Sequence, residues 1–103
     1  MENSNFKRIN VVEASSLLNS DTVTIVDIRD HKSFEIDHIR NAHHVTENNA
    51  KKFIENTNKE KPLLVYCYHG NSSQVAAKYF SDNGFNKVYS LDGGFSMWRG
   101  QNR

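Results

Sequence analysis

The chain has 103 residues, with 13 Lys/Arg against 12 Asp/Glu for a formal net charge of +1, and 37% of its side chains are apolar. That length suits one small domain with a lean core, and the balanced charge supplies neither a basic footprint for nucleic acid nor an acidic tail. No apolar run approaches the ~20 residues that span a bilayer, and a single cysteine, Cys67, forbids an intrachain disulfide, a four-cysteine zinc site and a Cys-x-x-Cys redox pair.

The start of the chain, Met1 to Asn10, is polar and lacks the apolar segment of a signal peptide, so a reduced cytoplasmic protein is expected. Asn10-Val11-Val12-Glu13 reads as a capping box, opening a helix that carries Val12, Ala14, Leu17 and Leu18 and frays near Asn19-Ser20. Val23 to Ile28 is a β-branched, nearly continuous apolar strand, and Ala42 to Val45 is a shorter strand candidate. Thr46 to about Asn56 reads as a helix with Ala50, Phe53 and Ile54 on one side. A second apolar strand, Pro62 to Cys67, opens with the only proline, where no ladder donor is needed. Ser73 to Asn83 is a helix with Val75, Ala76, Tyr79 and Phe80 at helical spacing, and Gly84 suits the left-handed position beyond it. Lys87 to Leu91 completes the strand candidates.

Continuous apolar strands alternating with helices predict an α/β domain whose mostly parallel sheet is covered on both faces. In such sheets the ligand site lies beyond the carboxyl ends of the strands. Cys67 ends the second long strand there, and Tyr68-His69-Gly70-Asn71-Ser72 leads into the following helix. A turn of this kind curls backbone N–H groups inward into an anion nest, and the helix N-terminus adds partial positive charge. A thiol held at that point is favoured as the thiolate, its nucleophilic form. Gly70 and Asn71 tolerate the left-handed backbone such a loop requires, and Ser72 and Ser73 are good helix caps. A lone cysteine often serves as a small buried hydrophobe, but a packing residue belongs inside the strand and not on its last position.

Cysteine phosphatases and one class of arsenate reductases use a Cys-x5-Arg loop whose arginine grips the oxyanion with paired donors. Here the sixth position after Cys67 is Ser73, and no Lys or Arg occurs from Cys67 to Val75, so phosphatase activity is not expected. Asp27 and Arg29, at the end of the first long strand, read as an ion pair holding adjacent loops. His43 and His44 point to opposite faces of a strand and cannot chelate one metal together, so no metal site is expected. His69, two residues past Cys67, is either a solvent-facing loop histidine or a counter-charge for an anionic substrate. Phe95 and Trp98 read as aromatics sealing the core.

Four segments, in order, resemble the rhodanese family, and specifically its short single-domain thiosulfate sulfurtransferases of the GlpE type. Cys67-Tyr68-His69-Gly70-Asn71-Ser72 is similar to the family's six-residue active-site loop. Asp27-Ile28-Arg29-Asp30 with Ser33-Phe34-Glu35 resembles its Asp-x-Arg and Phe-Glu segment. Asp37-His38-Ile39-Arg40-Asn41-Ala42 resembles its Gly-His-Ile-x-Gly-Ala, with Asp and Asn in place of both glycines. Those are the non-glycine types that enter left-handed backbone most readily. Leu91-Asp92-Gly93-Gly94-Phe95 through Trp98 resembles the closing Asp-Gly-Gly and tryptophan.

The resemblance implies one rhodanese-like domain over residues 1–103, with a parallel sheet of about five strands and helices on both faces. It implies sulfane-sulfur transfer through a Cys67 persulfide from thiosulfate or a similar donor to cyanide, a thiol or thioredoxin. Tyr68, His69, Gly70, Asn71 and Ser72 would bind the donor, and His38 would stabilise its turn. No cofactor, nucleic acid or membrane is implied. A persulfide carrier or docking module acting only with protein partners is the alternative. A thiol redox sensor is disfavoured because a resolving cysteine is lacking.

Overall fold

The computed structural model describes residues 5–20 and 22–101; the first four residues of the polar start and the last two of the expected domain lie outside them. Strands and helices alternate as β1 (Lys7–Ile9), α1 (Val11–Leu18), β2 (Thr24–Asp27), α2 (His31–Ile36), β3 (His43–His44), α3 (Ala50–Asn56), β4 (Leu63–Tyr66), α4 (Ser72–Asp82), β5 (Val88–Leu91) and α5 (Gly94–Gln101). The strands form one sheet in the order β1-β5-β4-β2-β3, and every pairing is parallel. Thr24 to Asp27 pairs in register with Leu63 to Tyr66, so β2 and β4 end side by side.

The unbroken apolar character of β2 and β4 follows from burial on both faces. Ile25, Leu64 and Tyr66 face a cluster with Val11 and Ala14 of α1 and Phe95 of α5. Val26, Leu63 and Val65 face the other cluster, with Ala77 and Phe80 of α4 and the partly buried Phe53 and Ile54 of α3. Phe95 is buried, and Trp98 packs half-buried against its cluster, as aromatics closing the core should.

α1 begins with the expected capping box: Asn10 Oδ1 accepts from the Glu13 amide, and Glu13 Oε1 accepts from the Asn10 amide, both at 2.8 Å. α4 gives way to Gly84 with φ +101°. Asn41 does adopt left-handed backbone, with φ +69°, whereas Asp37 is extended at φ −168°, a conformation open to any residue. Three elements were not anticipated: β1, α2 and α5. The helix expected from Thr46 starts only at Ala50, because Asn49 Oδ1 accepts from the Thr46 amide at 2.7 Å in a preceding turn. No helix among the described residues is long and apolar enough to cross a membrane.

The chain runs outward from β2 to β3 and then returns to β4 on the other side of β2. The connections leaving β2 and β4 therefore diverge, which opens a crevice at their carboxyl ends. Asp27 ends one strand, and Tyr66, followed by Cys67, ends the other.

Candidate active site

Cys67 is 7% exposed and sits at the base of the loop joining β4 to α4. Its Sγ accepts hydrogen bonds from the amides of Gly70 at 3.1 Å and Ser73 at 3.3 Å. Both donors come from the curl between strand and helix, so the anion nest expected from the sequence is already wrapped around the sulfur. Burial pushes the Cys67 thiol up. Hydrogen bonds from the Ser73 side chain and from the amides of Ser73, Gly70 and His69 outweigh it, leaving the thiol below its ordinary value. The site favours a thiolate without a neighbouring base.

Two glycine positions hold the loop in this shape. Gly70 has φ +98°, and a Cβ there would lie 2.8 Å from the Gly93 nitrogen. Gly94, with φ +59°, would place a Cβ 2.5 Å from the Tyr68 carbonyl oxygen and 2.6 Å from that of Cys67. The start of α5 thus lies directly on the loop, backbone against backbone. The Phe95 amide donates to the Cys67 carbonyl at 2.9 Å and the Ser96 amide to the Tyr68 carbonyl at 3.0 Å. The Asp92-Gly93-Gly94 segment serves as the clamp that fixes the cysteine loop.

The buried polar side chains among the described residues are Asp27, Arg29, Ser73 and Ser90, and all four serve this edge of the sheet. Arg29 Nη2 donates to Asp27 Oδ2 at 2.7 Å and to the Asp37 carbonyl at 2.6 Å, while its Nε meets both Asp27 oxygens at 3.1 Å. Burial works against the guanidinium charge, but the Asp27 carboxylate overcomes it and raises the pKa. The same guanidinium lies 4.2 Å from the Phe95 ring centroid and 5.8 Å from that of Tyr68. Asp27 and Arg29 are therefore the loop-holding pair that the sequence suggested. Tyr66 joins them: burial, then Asp27, push its hydroxyl well above the ordinary phenol range, and it accepts from the Ile39 amide at 3.1 Å.

Ser72 and Ser73 do not cap α4 through their side chains. The helix already includes Ser72, Asn71 precedes it without a side-chain cap, and Ser73 Oγ lies 2.8 Å from Ser90 Oγ on β5. Sequence reasoning missed this role for Ser73, and nothing local signals a partner on β5. Tyr68, His69, Asn71 and Ser72 are exposed around the buried Gly70 and Cys67, so the loop presents its side chains outward and its amides inward. The His69 and Tyr68 rings are tilted against each other with centroids 5.0 Å apart.

The remaining histidines have structural contacts. His38 Nδ1 donates to the Phe34 carbonyl at 2.7 Å and its ring stacks on Phe34, which stabilises the turn before β3. His43 approaches Phe53, whereas His44 stacks on Phe34 and donates to the Arg29 carbonyl at 2.6 Å, so the two diverge as strand neighbours must.

Fold and loop together define an α/β domain that holds a cysteine sulfur in a nest of backbone amides at the carboxyl edge of its sheet. The chain belongs to the rhodanese-like domain family, whose profile matches residues 10–101. It is 47% identical over 96 residues to the thiosulfate sulfurtransferase GlpE of Tolumonas auensis, covering 93% of this chain and 91% of that protein. The corresponding Coxiella burnetii protein is 45% identical over 94 residues, covering 91% and 88%. Among solved structures, a rhodanese-like domain protein from Staphylococcus aureus superimposes with a TM-score of 0.78 at 28% identity, covering 90% of this chain and 91% of that one.

Proposed function

We propose that the protein is a thiosulfate sulfurtransferase that works by double displacement through a Cys67 persulfide. The observation that carries this is the sulfur nest: Sγ accepts from the Gly70 and Ser73 amides, and its thiol is held below the ordinary value. The identity to the Tolumonas and Coxiella sulfurtransferases over nearly their whole length supports thiosulfate as the donor.

In the first step the Cys67 thiolate attacks the outer sulfur of thiosulfate. The new S–S bond forms as the old one breaks, its electron pair leaves with sulfite, and Cys67 carries a persulfide anion. In the second step an acceptor attacks the outer persulfide sulfur and Cys67 leaves as the thiolate. Cyanide serves in this way as thiocyanate forms; thiols and thioredoxin are the acceptor classes proposed for the cell. The loop from Tyr68 through His69, Gly70, Asn71 and Ser72 surrounds the donor, and its inward amides with the start of α4 offset the negative charge. One domain over residues 1–103, acting in the cytoplasm, carries the whole cycle, and no cofactor takes part in it.

Mass spectrometry tests the cycle directly. Thiosulfate should add one sulfur atom per chain, and cyanide should remove it. Initial-rate plots for the two substrates should be parallel. Cys67→Ala should stay folded yet lose both adduct and turnover, and Cys67→Ser should be equally inactive. Intersecting lines, or turnover surviving in either variant, would show that sulfur passes directly between bound substrates. Stable loading that only a protein acceptor discharges would favour the carrier alternative.

A further inference from the structure

Beside the cysteine loop lies a hollow of about 450 Å³ bordered by Tyr68, Ser96, Arg99 and Gly100. Its position relative to Cys67 is fixed, because α5 is bonded to the loop at the Cys67 and Tyr68 carbonyls and Gly94 leaves no space between them. Arg99 stands one helical turn beyond Ser96, on the same side of α5. Among the described residues the Arg99 side chain has no ion-pair or hydrogen-bond partner, unlike Arg8, Arg29 and Lys78, which pair with Asp92, Asp27 and Asp82. Among the described residues no carboxylate borders the hollow and its one charged group is positive, and the Tyr68 and Ser96 hydroxyls can add donors.

Resting on the sulfurtransferase reading above, we infer that this hollow is the acceptor subsite and that Arg99 is a specificity-determining residue selecting thiols that carry a carboxylate. The acceptor's thiolate attacks the outer sulfur of the Cys67 persulfide while its carboxylate lies against Arg99 across Tyr68. The acceptor leaves as its own persulfide anion, Cys67 leaves as thiolate, and total charge is conserved. The donor half-reaction does not need Arg99, because thiosulfate ends within the nest.

The test loads Cys67 with thiosulfate, removes excess donor, and follows discharge by 3-mercaptopropionate and by uncharged 2-mercaptoethanol in the native chain, Arg99→Gln and Arg99→Glu. The ratio of the two second-order rate constants is the readout, so differences in intrinsic nucleophilicity cancel between variants. Relative to Arg99→Gln, the native ratio should favour the carboxylate thiol by about two- to fivefold at low salt, the range one exposed ion pair supports. Arg99→Glu should shift the ratio the opposite way, and raised salt should compress both differences. Equal ratios in all three proteins would overturn the inference. So would an equal loss in the thiosulfate loading rate, which would show a general field in place of a subsite. Failure of Cys67 to load at all would instead sink the sulfurtransferase reading.

Discussion

Gly94 and Cys67 meet through backbone alone: a Cβ on Gly94 would stand 2.6 Å from the Cys67 carbonyl oxygen, and the next amide, Phe95, donates to that same oxygen at 2.9 Å. Cys67 is thus held from behind by α5 as well as from the front by its own loop.

Gly94→Ala should therefore damage the site and the fold together. The methyl group must displace two carbonyls and also accept φ +59°. Overpacking plus left-handed strain corresponds to about 2–4 kcal/mol. For a domain of this size that lowers the Tm by roughly 10 °C or more. Gly100→Ala, with open space around its Cβ, is the control and should leave the Tm unchanged or slightly raised. Equal melting temperatures for the two variants would contradict the clamp.

Ser73 sets the pH dependence of loading. The thiolate is the reactive form, so the rate falls as pH drops through the Cys67 pKa, and the lowered pKa moves that fall to more acid pH than for a free thiol. Ser73→Ala keeps the amide donor but removes the side-chain one, so its inflection should move upward. The pH profile of iodoacetamide alkylation reads this directly. Ser90→Ala removes the Ser73 partner without touching sulfur and controls for loss of packing. An unmoved inflection in Ser73→Ala would assign the lowered pKa wholly to the backbone.

Asp27→Asn should be among the most destabilising single changes. It strips the carboxylate from an Arg29 side chain that is only 4% exposed, leaving a buried charge without its counter-ion. Breaking such a pair costs about 3–5 kcal/mol. Denaturant unfolding should show a lowered midpoint, and a loss under 1 kcal/mol would mean that water reaches Arg29 freely.

Aryl phosphates should not be hydrolysed faster than by Cys67→Ala. The nest offers amides to sulfur, but the loop carries no arginine to clamp a phosphoryl group, and Arg29 is engaged with Asp27. Phosphate release that depends on Cys67 would refute this.

Much of this site is written locally in the chain. Asn10 and Glu13 announce α1, two apolar runs announce the central strands, and a cysteine followed by Gly70 and Asn71 announces the nest. What stayed hidden depends on distant partners. β1 carries Lys7 and Arg8 and is a strand only because it pairs with Tyr89 to Leu91. α2 buries no residue, so no apolar stripe marks it; Asp30 starts it by accepting from the Ser33 amide at 3.1 Å. α5 follows Gly93 and opens on Gly94, residues that read as a break until their contact with the loop is known. Ser73 looked like a cap because its true partner, Ser90, lies across the helix on another strand.

The Ser73–Ser90 contact also bears on how this fold could acquire a new reaction. Both hydroxyls are fully enclosed, so an arginine placed at position 73 would meet a filled interior before it met any substrate. Reaching a Cys-x5-Arg oxyanion clamp by substitution at position 73 therefore requires compensating changes in the packed interior around it. Those changes come at a cost in stability and with no gain in function until the arginine is in place. A lineage under selection for sulfur transfer has little reason to take the first step, which keeps the two chemistries apart although their loops are nearly alike.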